Sequence, residues 1–148
     1  MKASQLRQLI KEEVKSVLLE NELSEKDQIT AVQKDGFSIQ DIDNPSERVQ
    51  LAAVKEHGWA IQHIDNPSER VQLAAVEQNP YSIQFIENPS EKVQLSAVEP
   101  FPISIQSIKN PSETVQLAAV EKKPYSIKFI QNPSEKVKQL ARSKGVKI

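Results

Sequence analysis

Chemistry in this chain would have to come from a short list of side chains. His57 and His63 stand six residues apart and are its only histidines. A metal site or a general base needs further ligands or carboxylates converging on them, and no His-Glu-x-x-His pattern is present. Cysteine is absent, which removes thiolate nucleophiles, thiolate metal sites and disulfides. Gly36, Gly58 and Gly145 make no phosphate-cradling loop. Ser46, Ser68, Ser90, Ser112 and Ser134 recur at equal intervals, each followed by Glu. A serine nucleophile needs a neighbouring base, and none of the five has a histidine partner. The Glu47, Glu69, Glu91, Glu113 and Glu135 series therefore reads as helix capping, and the histidines as surface or interface residues. The expectation is a chain that is not an enzyme, with no catalytic residue, no metal and no cofactor.

The serines belong to a longer motif. Asn-Pro-Ser-Glu begins at Asn44, Asn66, Asn88, Asn110 and Asn132, always 22 residues apart. A fixed period of this length marks a repeat protein, one supersecondary unit stacked on the next. In the unit from Asn44 to Asp65, Asn44 reads as an N-cap, Pro45 as the first helical residue, and Glu47 as the far side of a capping box. A helix is predicted from Pro45 to about Glu56. The next column reads Gly36, Gly58, Pro80, Pro102, Pro124. Proline fixes φ near −65°, so this column starts a second, shorter helix of one or two turns, partly 3₁₀, with glycine tolerated there.

The longer helix carries apolar residues on two faces. Val49, Ala52 and Ala53 cluster on one side, Leu51 and Val54 roughly opposite. Such a helix belongs between two neighbours. Towards the N-terminus the Val49 and Ala52 columns become Asp27 and Thr30; towards the C-terminus the Leu51 and Val54 columns become Gln139 and Arg142. These polar substitutions predict capping repeats at both ends of a complete array, with the Val49 face towards the N-terminal neighbour. The expected fold is all-α: an α-solenoid of about six 22-residue helix–short-helix repeats over 22–148, preceded by an N-terminal amphipathic helix over 1–21. The rival is a leucine-rich-repeat horseshoe, which needs a short strand in each unit. In the unit that begins at Asn88 Pro100 precedes Pro102, which predicts an early helix end and a local bend.

The N-terminal segment has Leu6, Ile10, Val14, Val17 and Leu18 on one side, with Leu9 alongside, and Arg7, Lys11, Lys15 and Glu12 opposite. It is expected to fold back on the array, to self-associate or to dock on another protein. Net charge is −1, but residues 20–69 hold eleven acids and four bases, and residues 121–148 hold eight bases and two acids. The stack thus has an acidic and a basic end. No apolar run has the length of a membrane span or the form of a signal peptide.

The consensus NPSE-x-VQLAAV followed by I-Q-x-I resembles a family of short α-helical repeats in uncharacterised bacterial and tailed-bacteriophage proteins. The resemblance covers about residues 23–148 and implies an α-solenoid with no known chemistry. The stretch Gln5-Leu6-Arg7-Gln8-Leu9-Ile10-Lys11-Glu12-Glu13 is similar to leaders on proteins of large marine tailed phages. Leu18-Leu19-Glu20 and Ile10-Lys11-Glu12 match the form cut by head proteases of T-even-like phages. The resemblance implies a host-cytoplasmic or virion location, and the lack of a membrane-length apolar run or signal-peptide core predicts a chain neither secreted nor transmembrane.

Stacked units make a surface and no obvious single pocket, so binding is the expected function. The candidate partner-binding residues are the aromatics Trp59, Tyr81, Phe85, Phe101, Tyr125 and Phe129, and the amides Gln62, Gln84 and Gln106, with Trp59 and Tyr81 foremost. Tyr81 with Phe85, and Tyr125 with Phe129, read as helical i,i+4 packing pairs. Gln50, Gln72, Gln94 and Gln116 read as structural or solvated amides. The expected partner is another protein or a second copy of the chain, with no membrane. A virion structural component is one alternative. Nucleic-acid binding is the other, and would need Lys122, Lys123, Lys128, Lys136 and Lys138 on one face.

Overall fold

The computed structural model describes residues 3–21 and 24–148, with residues 14–21 in their backbone only. Helix α1 spans Ala3–Asn21. After it two kinds of helix alternate: α2 (Glu25–Lys34), η1 (Gly36–Asp41), α3 (Glu47–Glu56), η2 (Gly58–His63), α4 (Glu69–Gln78), η3 (Pro80–Phe85), α5 (Glu91–Val98), η4 (Pro102–Ser107), α6 (Glu113–Lys122), η5 (Pro124–Phe129) and α7 (Glu135–Ser143). The η elements are 3₁₀ helices. No strand occurs among the described residues, so the horseshoe is excluded and the fold is an all-α solenoid. Also among the described residues, no helix is long and apolar enough to cross a membrane.

The motif at each helix start works differently from the capping box. Ser46, not Asn44, is the N-cap: its Oγ accepts the Val49 N–H at 3.4 Å, and Ser68, Ser90, Ser112 and Ser134 do the same at 3.3–3.4 Å. Asn44 and Asn66 lie in the left-handed region with φ of 48°, which asparagine tolerates better than most residues. The chain turns there, and the helix begins two residues after Pro45. Glu47 is consequently the first helical residue rather than the third, and cannot reach back to its own cap. It reaches forward to the next repeat.

That contact recurs along the chain. Ser46 Oγ donates to Glu25 at 2.6 Å, Ser68 Oγ to Glu47 at 2.6 Å, and Ser112 Oγ to Glu91 at 2.5 Å. The same carboxylate column meets a base of the next repeat: Arg48–Glu25 (3.0 Å), Arg70–Glu47 (3.7 Å), Lys92–Glu69 (3.4 Å) and Lys136–Glu113 (3.8 Å). One hydroxyl thus closes its own helix and ties it to the previous one. The ion pairs are well exposed and individually weak. Because successive N-termini are joined, the α-helices lie parallel in one layer and the short helices return in a second.

The core lies between the layers. Val49, Val71, Val93, Val115 and Val137 are wholly buried, as are Val32, Val54, Val76, Val98 and Val120. The short helices contribute Ile39, Ile61, Ile83, Ile105 and Ile127, and one turn later Ile64, Ile86, Ile108 and Ile130. In a helix of three residues per turn, isoleucines three apart eclipse and fall on one face, here the inward one. Gln50, Gln72, Gln94 and Gln116 donate to the carbonyls of Pro45, Pro67, Pro89 and Pro111 at 2.9–3.0 Å, so this amide column is structural. Gly58 is a tight fit rather than a tolerated residue: a Cβ there would sit 2.6 Å from the Ala75 carbonyl oxygen. Pro100 does end its helix early, at Val98, leaving eight residues where α4 and α6 have ten.

The end faces match the polar substitutions. Asp27 and Thr30 are exposed on α2 while Val32 is buried; Gln139 and Arg142 are exposed on α7 while Val137 and Ala141 are buried. The Val49 column therefore faces the N-terminal neighbour. At α7, Lys138 Nζ bonds Glu135 at 2.6 Å, and this hydrogen bond, with the charge behind it, holds the Glu135 carboxyl below the ordinary glutamate range.

Ser68→Ala removes a cap and a link between repeats together. It should lower unfolding free energy by about 1–2 kcal/mol in urea titration; an unchanged midpoint would mean the ladder contributes nothing. A carboxyl depressed in the folded state stabilises above its unfolded pKa, and that contribution is lost as pH falls through the lowered value. Lys138→Met should therefore move the Glu135 carboxyl NMR titration upward. The stability difference from wild type should be present at neutral pH and vanish in acid.

Candidate partner-binding face

The outward face of the short-helix layer gathers the aromatic residues. In a 3₁₀ helix residues three apart eclipse, so while Ile61 and Ile64 point inward, Trp59 and Gln62 share the outer side. The same offset pairs Tyr81 with Gln84, Ile103 with Gln106, and Tyr125 with Lys128. The Lys128 ammonium lies 5.2 Å from the centre of the Tyr125 ring, as this geometry requires. Trp59 is 42% exposed, Phe85 37%, Phe101 44%, Tyr125 58% and Phe129 42%, a concentration of large apolar surface that sets this face apart from the α layer. Tyr81 is half-buried, and Gln62, Gln84 and Gln106 are exposed.

The rings join neighbouring repeats instead of stacking within one. Trp59 meets Phe85 edge-on at 5.9 Å, and Tyr81 meets Phe101 edge-on at 5.5 Å. Edge-to-face geometry of this kind is favourable between aromatic quadrupoles. The expected i,i+4 pairs do not form: at 120° per residue, four residues leave the rings a third of a turn apart. Both histidines pack on Phe37, His57 at 5.2 Å and His63 at 6.0 Å, so they continue the aromatic row and form no ligand set. Among the described residues no group of three or more His, Asp or Glu is placed to hold a metal.

Phe37, His57, Trp59 and Asn79 line a hollow of about 270 Å³ at one end of this row. Gln78 closes its edge, accepting from the Gly58 N–H at 2.8 Å and donating to the Glu56 carbonyl at 3.3 Å. On the opposite rim, clefts of about 440, 410 and 150 Å³ open between successive Asn-Pro loops, floored by Gln72, Gln94 and Gln116. Asp41, Asp43, Asp65 and Glu87 are exposed at the ends of the first three short helices, and Lys109 at the fourth. The face carries aromatics and amides over most of its length, and is acidic over its first part and basic beyond.

The basic C-terminal residues are divided between the two layers. Lys128 lies on η5 over Tyr125, Lys136 pairs with Glu113 at the start of the α layer, and Lys138 pairs with Glu135. Lys122 ends α6, about 15 Å along the helix from its N-terminus. Of the N-terminal helix candidates, Leu6 and Ile10 are each 51% exposed; the side chains of Val14, Val17 and Leu18 lie outside the described residues.

Trp59 is the only tryptophan, so its fluorescence reports on the row. Phe85→Ala should red-shift its emission and raise acrylamide quenching, while costing no more than about 1.5 kcal/mol of stability; an unmoved spectrum would dissociate the two rings. Set against protein-family models, curated proteins and solved structures, the chain matches none of them.

Proposed function

We propose that the array is a non-enzymatic helical-repeat scaffold that takes a protein partner along its short-helix face. The observation that carries this reading is the row of exposed aromatics on one layer, from Trp59 to Phe129, interleaved with exposed amides. Aromatic side chains dominate binding energy at protein interfaces because they remove large areas from water at little conformational cost. Exposed glutamines supply donors and acceptors that fix register. The lysines of the last repeats are spread over both layers and partly paired, which favours a protein over a polyanion as the partner.

A photo-crosslinking amino acid at Gln84, introduced in the native cell, should trap a discrete partner, and the same probe at Glu77 on the α layer should not. With that partner in hand, Trp59→Ala or Phe85→Ala should weaken binding by about tenfold or more, as hot-spot truncations do, and Lys55→Ala should leave it unchanged. Equal trapping from both layers, or aromatic variants that bind normally, would overturn the reading. A virion role is a separate proposal, motivated by the leader-like stretch on α1. It requires the chain to co-sediment with particles, and recovery from the soluble fraction alone would exclude it.

A further inference from the structure

On the α layer, glutamates of one repeat meet bases of the next. The short-helix layer is different. In the segments 35–43, 57–65, 79–87, 101–109 and 123–131, every acid and every lysine is exposed. None of them forms an ion pair among the described residues. Their order is regular. With histidine neutral, the five segments carry −3, −1, −1, +1 and +2. Asp35, Asp41 and Asp43 make the first value, and Lys123 and Lys128 the last. Single charges at Asp65, Glu87 and Lys109 set the three between. A complementary partner must run from basic to acidic in the same direction. The chain itself, turned end for end, has that order.

Two copies laid face to face with parallel stacks put acid on acid. A twofold axis lying across the stack reverses one copy and leaves each outward column opposite itself. Placed through η3, the axis sets Glu87 against its own copy. Placed between η3 and η4, it sets Glu87 against Lys109 of the second copy and Asp65 against Gln131. The acidic η1 then lies beyond η5 of the second copy, over its last residues, where Lys147 is exposed. The side chains of the face agree with this register. Phe85, 37% exposed, falls on Ser107, the smallest residue of its column. Tyr81 falls on Ile103, Trp59 on Tyr125 and Gln84 on Gln106. Of the remaining pairs, Asn79 meets Phe101, Gln62 meets Lys128, His63 meets Phe129 and His57 meets Lys123. None sets like charges together while histidine is neutral.

We propose that the partner of the short-helix face is a second copy of the chain, the two stacks antiparallel about an axis between η3 and η4. This rests on the reading of that face as a binding surface and names what it binds. Pairing removes the exposed rings of both copies from water, and the charge order fixes orientation and register.

The purified full chain should sediment as a monomer–dimer equilibrium with a micromolar dissociation constant, weakening as salt is added. Glu87→Lys alone and Lys109→Glu alone should each raise that constant at least about tenfold, because each sets like charges together at two related places. The double variant exchanges the two charges and should return to within about threefold of the wild-type constant, because the register pairs those two positions with each other. Both side chains are exposed, so far-UV circular dichroism of all three variants should match the wild type. A wild-type chain still monomeric at about 500 μM overturns the proposal. So do single variants that dimerise normally, and a double variant no better than the singles. The photo-crosslink at Gln84 keeps the two readings apart. A monomeric chain whose Gln84 probe traps a foreign protein retires the second copy and leaves the binding face standing, while equal trapping from Gln84 and Glu77 retires the face itself.

Discussion

The repeat helices α3, α4 and α6 are ten residues long, too short to persist in water on propensity alone. Each survives because it is buried on two sides, and that need for neighbours organises everything else. A two-sided helix cannot end a fold by itself, so the unit must be stacked. Stacking at a fixed offset then brings chemically identical columns into contact at every interface, and a single good contact is multiplied along the chain. The serine hydroxyl shows the economy of this. It accepts its own helix's N–H and donates to the glutamate one repeat earlier.

The first and last helix starts of the ladder are closed within one helix. At α2 the Ser24 Oγ donates to Asp27 at 2.6 Å. At α7 Glu135 pairs with Lys138, three residues on in the same helix. Asp27 stands where interior repeats have valine, and Lys138 where they have glutamine, so each substitution removes an apolar or structural role and adds a local ionic one. Polar end faces are usually described as a solubility device. Here they also complete the hydrogen bonding of the terminal helix starts.

Most of the architecture was legible in the sequence, because period, two-faced helices and proline at the first position of the short helices are properties of single columns. What escaped were contacts between columns. Asn44 and Glu47, three apart, suggest a capping box within one helix start, yet Glu47 accepts from Ser68 of the next repeat. Tyr81 and Phe85 suggest a pair, yet Tyr81 meets Phe101 and Phe85 meets Trp59. When every unit carries the same residues, pattern alone cannot tell a neighbour in the helix from the equivalent residue 22 positions away. The isoleucine spacing did hold a usable signal: Ile61 and Ile64, three apart in every unit, mark the inward side of each short helix and with it the outward residues.

The contrast between the two sides of the short helices bears on what the surface is for. Inward, the Ile61 column is isoleucine in all five short helices, because each must fill the same space between α-helices. Outward, the corresponding column runs Phe37, Trp59, Tyr81, Ile103, Tyr125, and the next runs Asp41, His63, Phe85, Ser107, Phe129 for the residue ending each helix. Packing does not demand this variety; η4 folds with Ile103 and Ser107 where η3 has Tyr81 and Phe85. A perfectly repeated surface would let an extended partner slide from one unit to the next at equal energy. Different rings at successive units remove that degeneracy, since a partner shaped for Trp59 and Phe85 meets mismatched groups one repeat along. A uniform core carrying a non-uniform face is thus what single-register recognition on a solenoid requires.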